Sequence, residues 1–217
     1  MSYTGAVTAG GPASVRELEE LTITKLSVGP MDNNAYLLRC KATGAQLLID
    51  AANDASSLID LVGGSLDAIV TTHQHGDHWQ ALPDLVSSTG ARTYVGRLDA
   101  PGIPVHTDVL VDDGDEIHFG QITLHASHLV GHTPGSIVLR YDDPHGHPHL
   151  FTGDCLFPGG VGGTWGDADA FASLLDGVVT KLFDRLPDDT WFYPGHGNDS
   201  TLGAERASIP EWRARGW

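Results

Sequence analysis

Four potential metal ligands fall within six residues in the segment Thr71-Thr72-His73-Gln74-His75-Gly76-Asp77-His78. The residues just before it, Asp67–Thr72, are apolar and β-branched enough to read as a buried strand. A buried strand fixes the direction in which the chain leaves it, and Gly76 lets the following loop fold back. His73 and His75, two apart, can chelate one ion from an extended segment. Asp77 and His78 lie round the turn and can face a second. A chain with this segment needs a rigid sheet edge that aims several side chains at one place.

Three further pieces repeat the pattern of a potential ligand at a strand end in a glycine-bearing turn. They are Gly131-His132-Thr133-Pro134-Gly135, Thr152-Gly153-Asp154 and Pro194-Gly195-His196-Gly197. The candidates are then His73, His75, Asp77, His78, His132, Asp154 and His196. Five His and two Asp are too many for one tetrahedral ion and suit two ions that share a carboxylate. All seven offer nitrogen or oxygen, so zinc is expected first, iron and manganese are also allowed, and thiolate-rich sites are excluded. Thr72, Thr133, Ser136 and Thr152 are placed either to hold the imidazoles by hydrogen bonds or to cap their turns.

Composition narrows the partners. The formal charge is −16, which disfavours nucleic acid and anionic membrane surfaces as partners. Of the 28 acidic residues 22 are Asp, and 12 His accompany them, a metal-site vocabulary that counts alone cannot place. Cys40 and Cys155 are too few for a disulfide scaffold and read as reduced, buried thiols. The N-terminal stretch has no basic residue before Arg16 and no apolar core, so no leader is expected and the cytoplasm is the default compartment.

Residues 1–20 read as a flexible lead-in and 21–217 as one domain of short strands with helices between them. A strand is expected near Leu21–Leu26, a hairpin over Ala35–Arg39 and Gln46–Asp50, and helices over Ala55–Val62 and Trp79–Ser88. The clearest helix spans Ala168–Leu186, where Phe171, Leu174, Leu175, Val178, Val179, Leu182, Phe183 and Leu186 recur on one face. Asp167 or Asp169 would cap it, and Pro187 would end it. The alternation fits an α/β arrangement of sheets covered by helices.

The segments HQHGDH (73–78), GHTPGS (131–136), FTGDCLF (151–157) and PGHG (194–197), in this order, resemble the metallo-β-lactamase superfamily. Within it the sequence is similar to the short hydrolases of the glyoxalase II (hydroxyacylglutathione hydrolase) type, over about residues 21–210. The resemblance implies a four-layer αβ/βα sandwich of two mixed sheets with helices on the outer faces. It implies that His73, His75 and His132 hold a first metal and that Asp77, His78 and His196 hold a second, with Asp154 bridging. Asp77 would also orient the hydroxide between the ions, which attacks a thioester carbonyl of a small-molecule substrate. The alternatives are a persulfide dioxygenase-like oxidoreductase with one iron, another hydrolase such as a lactonase or β-lactamase, or a binding module that has lost catalysis.

Glyoxalase II enzymes grip glutathione with basic residues beyond PGHG. Here 20 residues follow Gly197, and Arg140 is the only basic residue between Leu98 and Thr180. A clamp would have to come from Arg97, Arg206, Arg213 or Arg215. Two other features stand apart from the ligand pattern. His145, His147 and His149 alternate in what reads as a solvated hairpin tip rather than a second metal clip. The Gly-rich stretch 158–165 ends at Trp165, which either lies over a substrate pocket or plugs the top of the next helix.

Overall fold

The computed structural model describes residues 3–216. Its first sheet runs in chain order through β1 (Ser14–Glu17), β2 (Leu21–Val28), β3 (Asn33–Cys40), β4 (Gln46–Ile49), β5 (Ala68–Thr71), β6 (Arg92–Gly96) and β7 (Val109–Val111). Pairing is antiparallel from β1 to β4 and parallel from β4 to β7. The second half supplies β8 (Glu116–Phe119), β9 (Ile122–His128), β10 (Ile137–Asp142), β11 (Pro148–Gly153), the short ribbon β12 (Leu156–Phe157) and β13 (Gly160–Val161), then β14 (Trp191–Pro194) and β15 (Ser200–Thr201). The six-stranded second sheet has the order β15-β14-β11-β10-β9-β8, and only β11 and β14 pair in parallel.

Three apolar interfaces define four layers. Side chains alternate along each strand, so one strand can serve two interfaces. In β4, Leu47 and Ile49 point between the sheets, while Leu48 points outward to the helices. Between the sheets, Leu21, Leu38, Val70 and their neighbours meet Leu124, Leu139, Phe151 and Tyr193. Outside the first sheet, Leu58 and Val62 of α1 (Ala55–Val62) and Leu82 and Leu85 of α2 (Leu82–Thr89) cover Leu48 and Ile69. Outside the second sheet, Phe171, Leu174, Leu175 and Val178 of α3 (Ala168–Val178) cover Val138, Leu150 and Phe192. The short α4 (Leu202–Arg206) and α5 (Ile209–Arg215) close that face, with Trp212 buried. The fold is the αβ/βα sandwich of two mixed sheets.

The structure departs from the sequence reading in three places. Ser14–Glu17, within the expected flexible lead-in, pair with Thr22–Lys25, and the Tyr3 hydroxyl donates to Asp199 at 2.8 Å. This edge strand rests on backbone pairing and has no fully buried residue, so apolar periodicity gives no sign of it. The helix expected over Ala168–Leu186 is α-helical only to Val178 and continues as a π turn over Val179–Phe183. Leu182 and Phe183 stay buried there, so the apolar pattern conceals the change. α2 begins at Leu82 rather than Trp79, because the chain first makes a tight turn over Gly76–His78. Elsewhere the punctuation is as expected: α1 stops at Gly63, and Asp167 caps α3 by accepting from Asp169 and Ala170 N–H.

The sheets meet along the edge where β4, β5 and β6 end, the C-terminal edge of parallel strands at which open α/β sheets commonly place ligands. Backbone hydrogen bonds stitch them together there. Asn34 N donates to Gly195 O (2.7 Å) and Ile137 N to Thr72 O (3.0 Å) across the sheets, while Gly195 N donates to Gly153 O (2.8 Å) within the second sheet. Behind the Pro194–Gly197 turn lies a buried ion pair. Lys25 Nζ donates to Asp199 at 2.6 Å and to Gly197 O at 2.8 Å, with both charged side chains fully buried. Burial pulls the Lys25 pKa down and pushes that of Asp199 up, each opposed by its partner. Lys25→Met leaves the carboxylate unpaired and is expected to lower stability in urea unfolding by about 3–5 kcal/mol. Adding Asp199→Asn should recover more than half of that loss.

Candidate metal centre

Each ligand candidate sits one to seven residues beyond a strand end. β5 runs through Thr72 to His73, and the turn over Gly76–His78, closed by His78 N donating to His75 O at 3.0 Å, brings His75, Asp77 and His78 round. His132 follows β9, Asp154 follows β11 and His196 follows β14. The structure brings all seven sequence candidates together. The ligand atoms of His73, His75 and His132 lie within 4.8 Å of one another, as do those of Asp77, His78 and His196. Asp154 joins His73 and His78 in a third such group. Its Oδ1 is 3.4 Å from His78 Nε2, and its Oδ2 is 3.6 Å from both His132 Nε2 and His196 Nε2. One carboxylate therefore faces both sets.

Two glycines are required by space. A Cβ on Gly195 would lie 2.2 Å from Asp154 Oδ1 and 2.7 Å from His78 Cε1. Gly153 has φ +46°, and a Cβ there would meet the Thr72 side chain at 2.7 Å.

Four of the five rings are held from behind through Nδ1, which leaves Nε2 facing inward. His132 Nδ1 donates to Gly163 O (2.9 Å), His196 Nδ1 to Met31 O (3.0 Å) and His78 Nδ1 to Asp50 Oδ2 (2.9 Å). The Thr72 hydroxyl donates its proton to Asp50 at 2.8 Å, so its oxygen can only accept from His73 Nδ1 at 3.1 Å. With Nδ1 protonated on both rings, the Nε2 atoms of His73 and His132 oppose lone pairs across 3.3 Å. Two nitrogens bound to one tetrahedral zinc stand about 3.3–3.4 Å apart. His78 Nε2 and Asp154 Oδ1 are buried and lack a hydrogen-bond partner. The donor set and these orphaned atoms fit divalent ions.

Three residues that support the site are absent from the sequence reading. Asp50, after β4, accepts from Thr72 N (2.7 Å), Thr72 Oγ1 and His78 Nδ1, and holds a left-handed φ of +59°. Asp99, after β6 and fully buried, accepts from Gln74 N (3.0 Å), Gly135 N (2.6 Å) and Thr133 Oγ1 (2.6 Å). It locks the loop bearing His73 and His75 to the loop bearing His132. Asn33 donates to Asp77 Oδ2 at 2.9 Å. The signal available in sequence was an Asp just beyond each strand flanking β5. Of the four hydroxyl candidates, Thr72 touches an imidazole, Thr133 and Ser136 hydrogen-bond to each other with Thr133 on Asp99, and Thr152 caps a turn through Leu156 O.

Electrostatics divide the rings. Burial, reinforced by the neighbouring His78, holds the His73 pKa well below its ordinary value, and burial lowers that of His132 despite Asp154. Burial also opposes charge on His78, but Asp50 and Asp154 outweigh it and push its pKa up to about 10. Asp154 and Asp77 stay below the usual carboxylate range. Burial would raise both, but His78 beside Asp154 and the Asn33 amide on Asp77 prevail.

Two other expectations are settled by the structure. His149 is fully buried between Tyr141 and Tyr193, and His147 contacts Arg16 at 2.8 Å, so only His145 remains at a solvated tip, near Glu19. β1 and the tyrosines cover this end of β11, which the His-rich turn composition did not reveal. Trp165 does not plug α3: it is 74% exposed, with its ring 5.3 Å from those of His75 and His132. Cys40 and Cys155 are buried and free.

The sequence profile of the metallo-beta-lactamase superfamily matches residues 28–196, and the chain belongs to that superfamily. A hydroxyacylglutathione hydrolase of Polaromonas sp. is 34% identical over 167 residues, 76% of this chain and 62% of that protein. An uncharacterised protein of Mycobacterium tuberculosis is 30% identical over 218 residues, 88% of this chain and 97% of its own length. Among solved structures, TTHA1623 in a di-iron-bound form superposes with a TM-score of 0.70 at 31% identity, covering 86% of this chain and 98% of that one.

Two outcomes follow from the geometry. Asp50→Ala removes the acceptor behind both Thr72 and His78 and should weaken metal binding about 10–100-fold in competition with a chelator. In the metal-free protein His78 keeps its proton at neutral pH, and a cation must displace it. Metal uptake at pH 7–8 should therefore release about one proton from His78, read by calorimetry in buffers of different ionisation enthalpy. Affinity should rise with pH across this range, because the pKa of His78 lies above it; an affinity independent of pH would contradict this assignment.

Proposed function

We propose that this protein is a metal-dependent hydrolase that cleaves hydroxyacyl thioesters at a binuclear centre, zinc being the first expectation. The observation that carries the reading is the single Asp154 carboxylate turned toward both ligand sets. His73, His75 and His132 would hold one ion, and Asp77, His78 and His196 the other. Bound there, the ions would supply Lewis acidity, lowering the pKa of a water from 15.7 toward about 7 and polarising a carbonyl.

The protein's own groups account for the remaining steps. Asp77, kept ionised and fixed by Asn33, can accept a hydrogen bond from the attacking water and set its direction. Asp50, Thr72, Gly163 and Met31 hold the imidazoles in the required tautomer, so no ring has to turn during the reaction. A thiol's low pKa lets it leave as the thiolate at neutral pH, so the step requires no separate general acid.

The thioester reading is supported by the hydroxyacylglutathione hydrolase similarity, but a glutathione clamp is not. Arg97 pairs with Asp112 (2.6 Å), Arg206 with Asp188 (2.6 Å) and Arg213 with Asp176 (2.8 Å), while Arg215 donates to Gly159 O. The reading therefore concerns thioester cleavage and leaves glutathione out of it.

Metal analysis of purified protein, combined with a panel of thioesters, a lactone, a β-lactam and a persulfide, tests the proposal. Two ions per chain and preferential thioester cleavage are expected. Asp154→Ala should lose metal from both sets and at least about a thousandfold in kcat/KM, and His132→Ala should lose the first-set ion together with activity. One iron per chain with oxygen consumption on the persulfide would replace hydrolysis by the oxidoreductase reading.

A further inference from the structure

Beside His132 opens a cavity of about 320 Å³ whose lining carries no lysine or arginine among the described residues. Val130, Pro134, Ala170 and Trp165 supply its apolar surface. Its only carboxylate, Asp167, is committed to capping α3 through Asp169 and Ala170 N–H. Two large apolar side chains on this wall are open to solvent: Trp165 is 74% exposed and Val130 43%. Scattered exposed apolar residues need no explanation, but these two share one cavity that touches a candidate ligand.

Trp165 also holds a left-handed φ of +52°, a conformation that a bulky residue adopts at a cost. The chain sustains it while the ring stands over His75 and His132, tilted 30° to the latter. Burial of the indole is not the compensation, since most of it faces solvent. A glycine, as at the next position Gly166, would meet the backbone requirement without strain. What only the tryptophan provides is an apolar wall of the cavity beside the ligand rings.

We infer that this cavity is the acyl subsite, that Trp165 is its specificity-determining wall, and that the preferred substrates carry an uncharged, apolar acyl chain. This rests on the proposed hydrolytic function and adds the chemical class of its acyl half. A carbonyl brought to the His73, His75 and His132 set would have its chain directed along His132 into the cavity. A terminal carboxylate there would meet Asp167 and no cation, and an aliphatic chain would cover Trp165 and Val130. Thr164, also on the lining, can meet a hydroxyl near the carbonyl, so an α-hydroxy group is compatible with an apolar chain beyond it.

Two measurements on the metal-loaded protein test this. In a series of thioesters of one thiol, kcat/KM should be at least about tenfold higher for hexanoyl than for succinyl, since each buried methylene contributes about 0.8 kcal/mol. Independently of turnover, hexanohydroxamate should bind at least about tenfold more tightly than succinohydroxamate, the hydroxamate being the common metal anchor. Trp165→Ala should collapse both ratios to within about threefold while metal content stays unchanged. Trp165→Phe should restore most of the preference. Equal binding of the two hydroxamates, or tighter binding of the succinyl compound, would overturn the subsite. Loss of the preference in Trp165→Ala only alongside loss of metal would overturn the role of Trp165. If no thioester is cleaved but the hydroxamate preference holds, the thioesterase reading falls and the subsite stands.

Discussion

Nitrogen and oxygen donors that are buried and aimed at one point repel one another and lose their water, so each must be held from behind. In this protein the support is a set of hydrogen bonds running outward from the cluster. Asp50 takes the Nδ1 proton of His78 and, through Thr72, fixes His73. Main-chain carbonyls of Gly163 and Met31 do the same for His132 and His196. Once a cation displaces the proton on His78, the inward atoms are a lone pair on each of these four rings and two carboxylates; without it His78 Nε2 and Asp154 Oδ1 have no hydrogen-bond partner. A divalent cation is the species that resolves all of these at once.

That requirement explains features of the fold that the apolar core does not need. β4, β5 and β6 pair in parallel, so Asp50, His73 and Asp99 emerge at one edge. β11 and β14 are the only parallel pair of the other sheet, and Asp154 and His196 emerge beyond their ends. Gly195, too crowded for a Cβ, lets the two sheets hydrogen-bond next to Asp154, and the buried Lys25–Asp199 pair secures the turn that carries His196. The catalytic reading and the stability of this edge thus depend on the same residues.

Much of this was legible in the sequence because short-range grammar carries it. A β-branched run into His-x-His-x-Asp-His, and three glycine turns bearing His132, Asp154 and His196, identify the seven donors without coordinates. Apolar periodicity likewise identifies the buried face of α3, though not its end at Val178, and an Asp before it identifies the start. What stayed hidden depends on contacts between distant segments. Asp50 and Asp99 look like ordinary strand-end turn residues until the sheet order sets β4 and β6 beside β5. His149 looks solvated until Tyr141, Tyr193 and β1 cover it. The position of Trp165 follows from a left-handed backbone that no propensity favours for tryptophan.

Two ions joined by Asp154 at one edge of the sandwich would account for both ligand sets. Anomalous diffraction at the zinc edge from crystals of the zinc-loaded protein tests this directly. Two peaks are predicted, one within His73, His75 and His132 and the other within Asp77, His78 and His196, with the Asp154 carboxylate between them. A single peak, or two peaks with Asp154 turned away from either, would contradict the account.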